Sequence, residues 1–477
     1  MRISSFLMLL TIFSMPIFSA IAQDEARSTL QDQQNVAITI YNENLALIRD
    51  QRKLQIAGGA STLAFRDVSA RIRAETAMLK SLSDPGKLQV YEQNFDYDLL
   101  SPQKLLEKQV GKSVVVIRTV NSVEISEPAE VLSANNGVVL KIGERIETGI
   151  PGRLVYPGVP ENLRDRPTLV MSLNNHGALQ QEVELSYLSG GLGWKADYVA
   201  QLNASDDKLD LSGWVTLSNS SGASYRNARV QLVAGDVNQV RDEMQPLLSM
   251  AKSERSMALS APRMAEESLL EYHLYTLERP TTVAENQTKQ VSLLAAEGVP
   301  IRKELLLRGA DYYYQSSQGQ LGQKIKVAVY VEFDNRESAH LGLPLPKGVI
   351  RVYKKDSAGN AQFVGEDRID HTPKNEKVRL KLGDSFDITA DKKQTDFKRL
   401  PNPGKGNTLF ESAYEIVLKN AKKEAVTVTV QEPVPADWKM LEENHPHEKA
   451  TSNTAVWKIN VPAEGNATLN YRVQVRM

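Results

Sequence analysis

Between Leu185 and Val240 the apolar residues recur at every second position, more regularly than anywhere else in the chain. Trp194, Ala196, Tyr198, Ala200 and Leu202 hold one parity, and Lys195, Asp197 and Gln201 lie among the residues between them. That spacing buries one face of a strand and wets the other. Leu209, Leu211, Gly213, Val215 and Leu217 hold one parity of the next strand, with Trp214 on the opposite face, so cover on both sides is expected there. Ser189-Gly190-Gly191 and Gly193 allow the first reversal without a Cβ penalty. Asn219-Ser220-Ser221-Gly222 supplies the second, since Asn and Ser side chains bond their own backbone. Leu232 and Gly235 close a third strand.

The same period runs through the rest of the chain. Val36, Ile38 and Ile40 begin a meander that turns at Asn42-Glu43-Asn44 and at Gly58-Gly59. Ser101-Pro102 places an N-cap and a first-turn proline before Gln103–Leu106, so one short helix starts there and stops by Gly111. Asn135-Asn136-Gly137 between Val131-Leu132 and Val138–Ile142 is a hairpin signal. With Val114–Ile117 and Arg153–Tyr156 these strands are candidates for a small barrel. Beyond Tyr272 the strand signals are 273–277, 289–294, 325–333, 349–353, 378–382, 414–418, 426–430 and 467–475. Asn219, Asn335 and Asn420 each end an alternating strand and precede polar turn residues, a weak internal echo.

These patterns predict an all-β chain of several antiparallel β-sandwich or small-barrel domains in tandem, with one short helix and a disordered insert. The expected division is 23–105, 106–160, 165–400 and 407–477, after a leader at 1–22. The connectors are the proline-rich 157–167 and PNPGKG at 401–406. The insert is 241–267, which breaks both periodicities and holds Met244, Met250, Met257 and Met264. Pro262 interrupts the helix face that the last three would share, so a mobile loop is expected, with a Met-rich docking segment as the alternative.

Composition narrows the setting. Arg2, an apolar run through Phe18 and Ala20-Ile21-Ala22 have the form of a secretory signal peptide, cleaved after Ala22. The expected location is periplasmic or secreted. No later segment is long and apolar enough to predict a membrane-spanning helix. The balance of 57 Lys and Arg against 58 Asp and Glu gives no electrostatic reason to expect nucleic acid. With no Cys, the fold is not stapled by disulfides, and its length predicts two to four hydrophobic cores at roughly 100–200 residues each.

GWKADY, LSGWVTLSN and NARVQLVAGDV carry a resemblance. With the spacing of Gly193, Trp194, Tyr198, Trp214, Asn219, Leu232 and Gly235, they resemble the core signature of a bacterial exported family of unknown function related to mucoidy inhibitor A. RPTTVAENQTK, VEFDNRE, GLPLPKGVIRVYKKD and DHTPKNE extend the resemblance over most of the chain. It implies an exported β-sandwich protein with no established catalytic residues, so the signature is structural. The mucoidy-inhibitor type carries a long coiled-coil insertion; no sustained heptads occur here.

Little in the sequence points to chemistry. G-x-S-x-G, H-E-x-x-H and a Cys nucleophile are absent. Gly111-Lys112-Ser113 lacks the earlier glycine of a phosphate loop, with Leu106 in its place, and has its helix before the strand rather than after it. The six histidines are His176, His273, His340, His371, His445 and His447. His445-Pro446-His447-Glu448 is the one close His pair, with Asp437, Glu442 and Glu443 nearby, and it reads as a solvated turn with no native metal. Asp311-Tyr312-Tyr313-Tyr314 offers rings to a sugar, although cross-strand packing is the expected use. The expectation is therefore a non-enzymatic envelope protein without cofactor, whose partner is an envelope protein or polysaccharide. The alternative is a periplasmic carbohydrate-active hydrolase using a carboxylate pair.

Overall fold

A computed structural model describes residues 25–42, 44–160, 163–235, 237–238, 264–401, 408–435 and 437–476. These residues are overwhelmingly strand, with one α-helix, Pro102–Glu107, and three short 3-10 turns. The fold is all-β with several sheets, as the period-two pattern predicts. The chain divides into two compact units that interleave along the sequence.

The first unit holds the described residues up to Ala37, then Leu47–Gly190 and Ser221–Ala223. Thr168–Asn175 lies between Gly59–Arg66 and Leu88–Asp96, antiparallel to both, and Ala26–Ser28 adds a short parallel edge. Leu169, Met171 and Leu173 alternate into the core because successive strand residues face opposite sides. A separate five-stranded sheet runs from Arg145–Thr148 through Val139–Ile142, Val123–Ser133 and Ser113–Val120 to Arg153–Val155. The barrel considered for this segment does not close. Arg145–Thr148 and Arg153–Val155 are opposite edges of the sheet, and each pairs only with its inner neighbour. Its core is one-sided, built on Val114, Val116, Val131 and Leu140, with Leu106 of the helix against it. The helix is capped as its sequence dictates, Ser101 accepting from the Lys104 amide at 3.1 Å.

The second unit holds Ile38–Ala46, Gly191–Ser220 and the residues from Ser224 onward. One continuous path of strands runs Ala361–Ile369, Gly348–Lys355, Leu192–Leu202, Lys208–Asn219, Gln287–Arg308, Gln320–Asp334, Lys377–Leu400, Leu409–Asn420, Asn466–Arg476, Asp437–Glu443. Two of these are far longer than the sequence signals at 289–294 and 378–382. Gln287–Arg308 passes through Gly298 and Pro300, residues that ordinarily stop a strand. Gly298 takes a left-handed φ of 64° in an irregular stretch, and Asp210 accepts its amide at 2.8 Å. The strand therefore pairs with Lys208–Asn219 in its first part and with Gln320–Asp334 in its second.

The terminal sandwich draws on strands from well before residue 407. One layer is the latter part of Lys377–Leu400 with Leu409–Asn420, Asn466–Arg476 and Asp437–Glu443. The other is the end of Gln287–Arg308 with Val426–Pro433, Thr454–Val461 and Glu448–Thr451. Trp457, Ile459, Ile416, Val473 and Tyr471 meet between them. The insert expected over 241–267 falls mostly outside the described residues. Its last residues do not: Ala265–Leu269 is a strand antiparallel to Tyr272–Thr276, with His273 and Glu266 paired at 2.7 Å.

Candidate functional site

The signature residues lie in the second unit and are packed, not displayed. Trp194 and Tyr198 are buried on the alternating face of Leu192–Leu202. Tyr198 donates to the carbonyl of Pro346 at 2.8 Å, and burial raises its phenol well above the ordinary range. Glycines flank its ring: a Cβ on Gly213 would fall 3.2 Å from it, and one on Gly348 would fall 3.0 Å away. Trp214 is half-buried on the other face, as its parity requires. Leu232 is buried, and Gly235 has φ 133° with the Tyr272 ring where a Cβ would be. Gly193 accepts from the Ser218 hydroxyl at 3.3 Å.

Asn219 is buried and donates to Val283 O at 3.1 Å. Asn335 donates to Leu343 O at 2.7 Å and Pro373 O at 2.8 Å. Asn420 donates to Glu424 O at 2.8 Å and Pro462 O at 2.9 Å. Each thus ties a strand end to the backbone of a neighbouring segment. A fourth, Asn175 in the first unit, does the same toward Ile56 O and Ala178 O. Sequence reading passed over it, although Leu173-Asn174-Asn175 ahead of His176-Gly177 carries the same signal.

A surface groove of about 450 Å³ opens in the second unit. Leu202, Ile301, Val331 and Val364 supply apolar walls, and Lys303, Lys354, Asp206 and Asp384 stand at charged positions around it. Asp206 sits at φ 56° in the turn after Leu202 and accepts from both Lys303, at 3.0 Å, and Lys354. Partial burial pushes its carboxyl up, but the two ammonium groups outweigh that and hold it below the usual range. Two residues beyond Asp384, the strand bulges. Ser385 Oγ accepts the Ile388 amide at 3.1 Å, and Phe386 is thrown outward, 96% exposed. Phe363, beside Val364 on the edge strand Ala361–Ile369, is 54% exposed.

Other candidates read from sequence take different places. Asp311–Tyr314 is a 3-10 turn and not a strand. At three residues per turn its rings diverge: Tyr312 is exposed, while Tyr314 is wholly buried. His447 is half-buried within a largely exposed turn. It packs 5.5 Å from Trp438 and 5.9 Å from Trp457, with the Glu443 carboxylate 3.0 Å from Nδ1. Glu443 also accepts from Trp457 Nε1 at 2.9 Å, so these groups hold one another. Among the described residues no group of three or more His, Asp or Glu is placed to hold a metal.

A buried polar cluster lies inside the terminal sandwich. Lys392 Nζ is 2.7 and 2.6 Å from the two oxygens of Glu432, and both side chains are nearly fully buried. Tyr314 donates to Glu432 Oε2 at 3.2 Å and lies 3.1 Å from the Tyr471 hydroxyl. The Tyr313 ring is 4.3 Å from Lys392 Nζ. Burial pulls the Lys392 ammonium below its ordinary range, against the attraction of Glu432. It pushes the Tyr414 phenol up to about 12. Sequence reading missed this pair because neither residue has a recognisable spacing.

Residues 183–477 match the family described as Domain of unknown function (DUF4139). The chain belongs to the DUF4139 family. No curated protein matches it. The DUF4139 region carries every signature residue, the groove and the Lys392–Glu432 pair. Among the described residues no helix is long and apolar enough to cross a membrane.

Proposed function

We propose that this DUF4139 protein is an exported, non-enzymatic component of the bacterial envelope that binds a protein or glycan partner at its groove. Export rests on the signal-peptide form of 1–22, which lies outside the described residues. Kinship with mucoidy inhibitor A is part of the same reading and rests on GWKADY and LSGWVTLSN. The observation that carries the interaction role is Phe386, almost wholly exposed two residues from the groove, with Phe363 exposed beside Val364. Exposed apolar groups beside a concavity mark binding surfaces. A hydrolase would want a carboxyl whose proton is held near neutral pH. Asp206 is tuned the other way, toward a permanent anion between two lysines.

A photo-crosslinking residue at Val364, in cells, should trap one envelope partner, and Phe386→Asp should reduce that product at least several-fold. Release of reducing sugar from envelope polysaccharide by the purified protein, lost in Asp206→Asn, would replace this reading with the hydrolase.

A further inference from the structure

We propose that Lys392 and Glu432 condense spontaneously to an intramolecular amide, a covalent tie between the two layers of the terminal sandwich. The proposal is independent of what the groove binds. Lys392 lies on Lys377–Leu400 and Glu432 on Val426–Pro433, strands that do not pair with each other. Their side chains bridge the layers, and a chain without Cys has no disulfide to do so.

Three features favour the reaction. The amine and carboxyl are held at 2.6–2.7 Å, by side chains 3% and 0% exposed. Groups held together in this way avoid much of the translational and orientational cost that free amine and acid meet in water. Second, an ion pair taken out of water is costly to keep, whereas the amide carries no charge. Proton transfer from the ammonium to the carboxylate gives a neutral amine and acid, and burial already biases Lys392 toward losing its proton. Third, the site is closed. Tyr314 and Tyr471 are buried beside it, and the backbone of Gly309 lies so near the carboxyl that a Cβ there would be 2.5 Å from Glu432 Cδ. Water that would reverse the reaction is kept out by that packing.

The step balances without an added reagent. One ammonium proton passes to a Glu432 oxygen. The freed lone pair of Nζ attacks Cδ, forming the C–N bond. The Tyr314 hydroxyl, 3.2 Å from Oε2, donates to the oxygen that gains charge in the tetrahedral intermediate. A second proton leaves nitrogen for the hydroxyl as the C–O bond breaks, and one water departs. Nothing is oxidised or reduced. Tyr314 remains hydrogen-bonded to the amide oxygen.

Peptide mapping of the full-length protein tests this. After denaturation and trypsin, a branched peptide joining the Lys392 and Glu432 segments is expected, lighter than its two parts by one water. Trypsin should not cut after Lys392. Lys392→Met and Glu432→Ala should each abolish the branched peptide. Tyr314→Phe, which keeps the packing, should leave a measurable unlinked fraction in freshly folded protein. Separate, unmodified peptides from the wild type, with ordinary cleavage after Lys392, would overturn the proposal without any variant having to fold.

Discussion

Among the described residues each unit buries one ion pair, and the two are built differently. In the first unit Arg52 and Asp50 lie two apart on one strand, so their side chains share a face. The Arg52 guanidinium stacks 3.7 Å over Phe65 and also donates to Ser28 Oγ and Arg66 O. Gln33 donates to Asp50 at 2.9 Å. Every charged group there has several partners, and the planar guanidinium fork is satisfied. In the second unit the pair joins different layers, and its cation is a lysine that can give up its proton. The Arg pair orders a local corner. The Lys pair bridges two layers beside the apolar side chains that meet there, and it alone has chemistry open to it.

Breaking the second pair should have the largest effect. Glu432→Ala leaves a buried ammonium without its partner and should lower unfolding stability by about 3–5 kcal/mol, read from denaturant midpoints. Arg52→Met should cost less than Glu432→Ala, since Asp50 keeps its bond from Gln33. If the two variants lose the same amount, the distinction between a local pair and a cross-layer pair fails.

The strand-end asparagines come next. Asn420→Ala strips donors from the carbonyls of Glu424 and Pro462 and should cost about 1–3 kcal/mol by the same assay. Asn175→Ala should cost a similar amount in the first unit, if this device serves both units alike. Three of these asparagines were legible because each closes an alternating run. What the sequence did not disclose is what they bind, since each also reaches a carbonyl on a segment dozens of residues or more away in the chain.

The same limit explains the other differences. Alternation in 192–202 and 208–219 predicts which side chains are buried, because one face of each strand is dry. It does not show that Gln287–Arg308 continues through Gly298 and Pro300, where an irregular register absorbs two residues that otherwise punctuate. Thr454–Val461 was open to the same reading, with Ala455, Trp457, Ile459 and Val461 all buried, yet it stands outside the strands read from sequence. Lys392, Glu432 and the groove were not legible at all. Their positions depend on which strands become neighbours, and charged residues at such positions resemble any solvated face.

The smallest expected effect concerns pH at the groove. The folded value for Asp206 lies below its unfolded one, so the unfolded chain binds the proton more readily. Its contribution is therefore present above the ordinary carboxylate range and fades as pH falls toward the lowered folded value. Asp206→Asn should flatten that acid limb in a urea titration and change neutral stability by less than about 1 kcal/mol, because both lysine partners are partly solvated. An unchanged acid limb would show that the lysines do not hold this carboxylate.

Hydrogen exchange read peptide by peptide tests the central contrast most directly. In Glu432→Ala, protection should fall in 305–333, 388–400 and 409–475 and persist in 47–66 and 168–189. In Arg52→Met the loss should fall on 47–66 instead. Unchanged protection of the terminal sandwich in Glu432→Ala, or equal loss everywhere in both variants, would contradict the account.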